Sequence, residues 1–171
     1  MSTELSEQEL LRRQKLEDIR NSGIDPYPAA LVEINATAKD ISENFSPEKA
    51  DQYKNISIAG RVMSNRDMGK ACFVSLQDST GRIQVYIRRD DICAGEDKSL
   101  FDQLFKKQTD LGDFIGITGY VFTTKVGEIS IHATSFKMLS KSLRPLPVVK
   151  RDDEGNTFDE VTDPEFRYRQ R

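Results

Sequence analysis

The sequence predicts a mainly β domain behind a helical N-terminal extension: a five-stranded Greek-key barrel with one helix between its third and fourth strands. Three observations carry this. Five runs rich in alternating or β-branched apolar residues follow one another between positions 56 and 138. Two short turn-forming stretches, DSTG at 78–81 and KVG at 125–127, join the second run to the third and the fourth to the fifth. A helix-like stretch, SLFDQLFKKQ at 99–108, separates the third run from the fourth. Three strands, a helix and two strands is the order of the OB-fold, and one interposed helix among five strands fits a barrel better than a sandwich.

Along the chain, 6–21 reads as a helix. Leu10, Leu11, Leu16 and Ile19 recur near helical spacing, and Gly23 follows as a stop. Its other side carries Arg12, Arg13, Lys15 and Arg20, which fits either an ordinary solvated surface or a basic face lying near a polyanion. The prolines of 24–35 favour an extended connection. Around 46–54 a short helix is expected, with Ser46 as cap and Pro47 first. The strand runs are 56–64, 71–77, 82–89, 114–123 and 128–138. Gly60 and Gly119 fall inside two of them, where barrels bend sharply or backbones come close. The chain thus divides into a helical extension (1–55), a barrel (56–140) and a linker (141–171) whose 7 basic and 7 acidic residues and low apolar content cannot form a core.

The chain has 171 residues, 37% hydrophobic and 31% charged, a composition of soluble globular domains. No apolar run approaches the roughly 20 residues of a membrane helix, and the polar N-terminus is no signal peptide. Two separated cysteines and one histidine argue against a structural zinc site. A cytoplasmic setting with reduced thiols is the expectation. Net charge is −3, poor for a general polyanion binder. Its distribution is uneven, however. Residues 61–89 hold six basic side chains against Asp67 and Asp78. No phosphate-binding glycine loop and no nucleophile elbow is present, so no catalytic residue is assigned.

Alternation within the strands sorts inward from outward residues. Cys72, Val74 and Leu76 share one face with Ile83, Val85 and Ile87, and with Ile129, Ile131 and Ala133. Phe73 therefore projects with the polar residues, on the wet face. In a closed OB barrel, Arg61, Phe73, Gln84 and Glu128 are expected on one surface, the one such folds use for oligonucleotides or oligosaccharides. Phe73 offers a platform for an unstacked base. Gln84 can donate to and accept from a base edge, whereas Glu128 only accepts, so it selects an N–H. Arg61, Arg66 and Lys70 suit phosphates. A lone outward Phe also occurs as cover for a barrel end, here against the N-terminal helix. His132 reads as a structural hydrogen-bonder, with no partner carboxylate near it in sequence.

Several long stretches resemble the bacterial-type class II lysyl-tRNA synthetases: RRQKLEDIRNSGIDPYP (12–28), GRVMSNRDMGKACFVSLQDSTGRIQVYIRRDD (60–91), LGDFIGITGYVFTTKVGEISIHA (111–133), LRPLP (143–147) and FRYRQR (166–171). The resemblance implies an anticodon-binding OB domain. In it Phe73 stacks on the central anticodon uridine, Gln84 and Glu128 bond its edge, and Arg61 makes a further loop contact. Asn65 and Arg66, in the loop after the first strand, meet neighbouring nucleotides. Aspartyl- and asparaginyl-tRNA synthetases share the Phe/Gln/Glu set. The N-terminal helix, MGKA (68–71), LRPLP, RYRQR, and Gly60-Arg61-Val62 where those relatives carry GWV all favour lysine. The implied partner is the tRNA(Lys) anticodon loop, with no membrane. ATP, Mg2+ and a homodimer are implied for a full-length enzyme, while this chain, lacking the catalytic motifs, holds no cofactor and is expected not to charge tRNA. Two alternatives accompany this: a sequence-tolerant single-strand binder, and a barrel that binds proteins or oligosaccharides.

Overall fold

The computed structural model describes residues 5–146, 150–151 and 157–158. Five strands, β1 (Ile56–Asp67), β2 (Ala71–Gln77), β3 (Arg82–Arg88), β4 (Phe114–Thr123) and β5 (Ile129–Ser140), close into a barrel in the order β1-β2-β3-β5-β4. All neighbours are antiparallel except β3 and β5. That parallel pair needs a crossover, and the chain between Arg88 and Phe114 supplies it with two helices. The expected OB barrel is thus the observed one.

The interior is the alternating set. Cys72, Val74, Val85, Ile87, Ile115 and Ile131 are completely buried, with Ile58, Val62, Leu76 and Ile117 nearly so. The helix Leu100–Gln108 is wound wider than an α-helix and adds Phe101, Leu104 and Phe105 to this core. Phe105 meets Phe136 edge-on at 5.3 Å. Two glycines permit the closure. A Cβ on Gly119 would lie 2.0 Å from the His132 carbonyl oxygen, and one on Gly60 would lie 2.6 Å from that of Gln77.

The N-terminal helix α1 (Glu7–Asn21) starts in a capping box. Ser6 Oγ accepts from the Glu9 amide at 3.3 Å, and Glu9 accepts from the Ser6 amide at 2.9 Å. It docks differently from the expectation. Leu16 and Ile19 are buried, but Leu10 and Leu11 stay exposed, and Arg12 turns inward. Arg12 donates to the carbonyls of Leu111 at 2.9 Å and Ser142 at 3.2 Å, and Lys15 pairs with Asp110 at 2.5 Å. Much of the basic face is therefore spent inside the protein. Nor does α1 cover Phe73; it packs on the Leu100–Gln108 helix.

A helix the sequence did not disclose, α2 (Ala38–Asn44), is capped by Thr37. It docks on the β2–β3 turn: Asp78 accepts from the Ala38 amide at 2.7 Å, and Thr80 Oγ1 from the Lys39 amide at 3.1 Å. The segment Pro47–Tyr53 is 3-10 helical. Ser46 caps it through its carbonyl, which accepts from Lys49, and not through its hydroxyl. The expected linker lies outside the described residues from 147 onward, as do FRYRQR and the end of LRPLP. The exceptions are two short strands, β6 (Lys150–Arg151) and β7 (Thr157–Phe158), which pair antiparallel where a loop was expected.

Candidate nucleic-acid interface

Strand register sorts the outer face of the barrel into rows. Arg66 pairs across with Phe73, Phe73 with Tyr86, Tyr86 with His132, and His132 with Tyr120. Two residues further along lies a polar row: Ser64, Ser75, Gln84 and Ser130. Two residues further again, Arg61 faces Gln77 and Gln77 faces Arg82.

A β-bulge sets this arrangement. β1 runs on through Asp67, so Asn65 and Arg66 belong to the strand and not to the loop expected there. The register shifts between Val62 and Ser64. One extra residue reverses which side chains face outward beyond it. Arg66 therefore comes to stand beside Phe73, and Asn65 pairs opposite the buried Val74.

Arg66, Phe73, Gln84 and Glu128 line one open groove of about 300 Å³, together with Ser75 and Arg82. The Arg66 guanidinium stands 5.2 Å from the centre of the Phe73 ring, and Tyr86 braces that ring at 4.9 Å. Gln84 is held at both ends of its amide: Nε2 donates to Glu128 at 2.8 Å, and Oε1 accepts from Ser130 Oγ at 3.1 Å. Ser130 is fully buried beneath it, although it belongs to the outward face. Glu128 owes its position to the β4–β5 turn, where Gly127 takes φ +88° and the Glu128 amide donates to Thr124 Oγ1 at 3.0 Å.

Arg61 stands apart. It lies two rows from Phe73, about 13 Å along the strands. Its guanidinium sits 4.6 Å from the centre of the Phe114 ring, beside a second hollow of about 430 Å³ that Arg61, Gln77 and Phe114 line. Four of the six candidate residues thus share one groove, and Arg61 and Asn65 do not line it.

His132 does have a carboxylate partner. The fold brings Asp91, on α3 (Arg89–Ile92), to 2.7 Å from its Nε2. They are 41 positions apart, so sequence proximity did not show it. Tyr86, Tyr120 and Phe122 surround the same imidazole. Each lies on a strand visible in the sequence, but only the register groups them. Among the described residues, no cluster of His, Cys, Asp or Glu is arranged to hold a metal ion, and no helix is long and apolar enough to cross a membrane.

A closed OB barrel whose wet face gathers an aromatic, an amide and arginines is the architecture of a nucleic-acid-binding module. Comparison with known proteins agrees: residues 56–139 match the model of the OB-fold nucleic acid binding domain family. Over 168 residues, 98% of its length, the chain is 58% identical to a lysine--tRNA ligase of Porphyromonas gingivalis strain ATCC BAA-308 / W83. It is 56% identical over the same length to that of Christiangramia forsetii, and 53% identical over 167 residues to that of Azobacteroides pseudotrichonymphae. The chain spans only 29–33% of the length of these relatives.

Proposed function

We propose that this chain is the anticodon-binding part of a lysine--tRNA ligase and that its groove reads the central uridine of the anticodon. The observation that carries the proposal is the side-by-side placement of the Phe73 ring and the Gln84–Glu128 pair in one groove. Phe73 takes the base on its face, and Arg66 leaves the ring to meet a phosphate. Gln84 has spent one N–H on Glu128, so its second N–H remains for a uracil carbonyl. The outer oxygen of Glu128 accepts the uracil imino N–H. Cytosine presents a bare ring nitrogen at that position, acceptor against acceptor, and is refused. The relatives' activity as lysine--tRNA ligases supports the choice of tRNA among single-stranded ligands.

Attachment of lysine, with its ATP and magnesium, and dimer formation are assigned to the part of the relatives' length that this chain does not span. The groove does not fit a magnesium site. The groove carries a single carboxylate, Glu128, already bonded to Gln84.

The test is binding of the chain to an anticodon stem-loop with the triplet UUU and to the same loop with UCU, at two salt concentrations. A preference for UUU of about tenfold or more, retained at the higher salt, is expected from a charged hydrogen bond to the base. Equal binding that simply falls with salt would mark a sequence-tolerant single-strand binder. Absence of binding to both would exclude both forms.

A further inference from the structure

The row that begins at Arg66 and Phe73 does not end at the groove. It crosses β3 and β5 to Tyr120 on β4, so four ring-bearing side chains lie side by side across four strands. The Tyr120 and His132 rings are parallel, 14° apart in plane and 4.8 Å between centres. His132 meets Tyr86 edge-on at 5.1 Å and is pinned by Asp91. Tyr120 is 38% exposed, a large aromatic held open to water by a rigid support. Cross-strand aromatic pairs steady a sheet by themselves. Sheet stability does not, however, call for a row continuous with a base-reading groove. Sheets that bind single-stranded RNA use such rows to stack two or three bases.

Building on the proposed function, we propose that Tyr120, supported by His132, is a second base-stacking position, taking another unpaired base of the loop whose central uridine rests on Phe73. Along this row Tyr120 lies three strands from Phe73, about 14 Å measured around the curved barrel wall. Bases stacked in a helix follow one another at about 3.4 Å. The two platforms therefore suit bases splayed apart, and do not suit a continuous stack.

The test pairs protein variants with stem-loops that lack one loop base at a time. Tyr120→Leu is expected to weaken binding of the intact UUU loop about tenfold, and Tyr120→Phe by less than about twofold. One abasic position should cancel the Tyr120→Leu effect, and it should differ from the position that cancels Phe73→Ala. A Tyr120→Leu loss under about twofold, an equal loss at all abasic positions, or cancellation at the Phe73 position would each overturn the proposal. If Phe73→Ala itself binds normally, it is the groove assignment that fails. His132 is the one histidine of the chain, so its ring protons give a second readout without any substitution. They should shift on binding the intact loop and return toward the free position when the Tyr120-coupled base is removed. Unchanged ring signals with every RNA would also count against a second position.

Discussion

Gln84 and Glu128 lie 44 residues apart in sequence and meet through a 2.8 Å hydrogen bond over the parallel β3–β5 seam. The bond orients both groups. With its oxygen committed to Ser130, the Gln84 amide must turn its nitrogen toward Glu128. Glu128→Gln keeps the shape but replaces a pure acceptor with a group that also donates. The carboxylate's bond to a base N–H is worth about 1.5–3 kcal/mol, so the UUU loop should bind roughly 10- to 150-fold more weakly. The UCU loop should lose less, and the discrimination should narrow. Titrations of both loops against both proteins measure this.

Phe73 and Arg66 make separable contributions, although they touch. Phe73→Ala should cost about 1–3 kcal/mol of binding to any loop that places a base there, with the salt dependence unchanged. Arg66→Gln should weaken all loops alike and lower the slope of log K against log salt by about 0.7, the share of one single-strand phosphate contact. Equilibrium binding across a salt series distinguishes the two. Phe73 is only half-buried and the Arg66 side chain is exposed, so both variants should fold.

The barrel and the polar character of its wet face were legible because alternation is local. Ile83, Val85 and Ile87 against Gln84 and Tyr86 can be read from seven residues. What stayed hidden depends on register. The bulge beyond Val62 decides that Arg66, not Asn65, flanks Phe73, and no residue there announces it. The parallel pairing of β3 with β5 brings Ser130 under Gln84 and His132 beside Tyr86 across a long crossover. Arg12 misled for another reason. A buried guanidinium looks like any surface arginine until the carbonyls of Leu111 and Ser142 appear beside it. A capping pair such as Ser6 and Glu9 is a local signal, whereas α2 has only Thr37 ahead of a short, weakly apolar segment, which does not disclose a helix.

Gly119 tests the closure of the barrel independently of binding. The strand approaches His132 so closely that a Cβ would overlap the carbonyl oxygen, and backbone on both sides has nowhere to go. Gly119→Ala should destabilise the chain by about 3 kcal/mol or more, as severe overpacking does. Gly95, around which a Cβ meets nothing within 4 Å and whose φ is not positive, is the control. Gly95→Ala should stay within about 0.5 kcal/mol of the parent in urea unfolding.

The charged cluster under α1 makes stability depend on acid in a defined direction. Lys141 is buried between Asp113 at 2.7 Å and Asp110 at 2.6 Å, and Asp110 also receives Lys15. Burial by itself would raise the Asp110 carboxyl, but the hydrogen bonds from Lys141 and Lys15 outweigh it and hold the group below its ordinary value. A carboxylate depressed on folding contributes its full stability above its unfolded pKa of about 3.9, and loses it as pH falls through the lower folded value. The unfolding midpoint should therefore be level through neutral pH and fall below about pH 4, and Asp110→Asn should soften that fall. Lys141→Met leaves Asp113 buried without its cation. That should cost about 3–5 kcal/mol at pH 7, lowering Tm by roughly 6–20 °C. Thermal unfolding of the three proteins between pH 3 and 8 checks both claims. If Lys141→Met melts with the parent at pH 7, the cluster does not hold α1 to the barrel through charge.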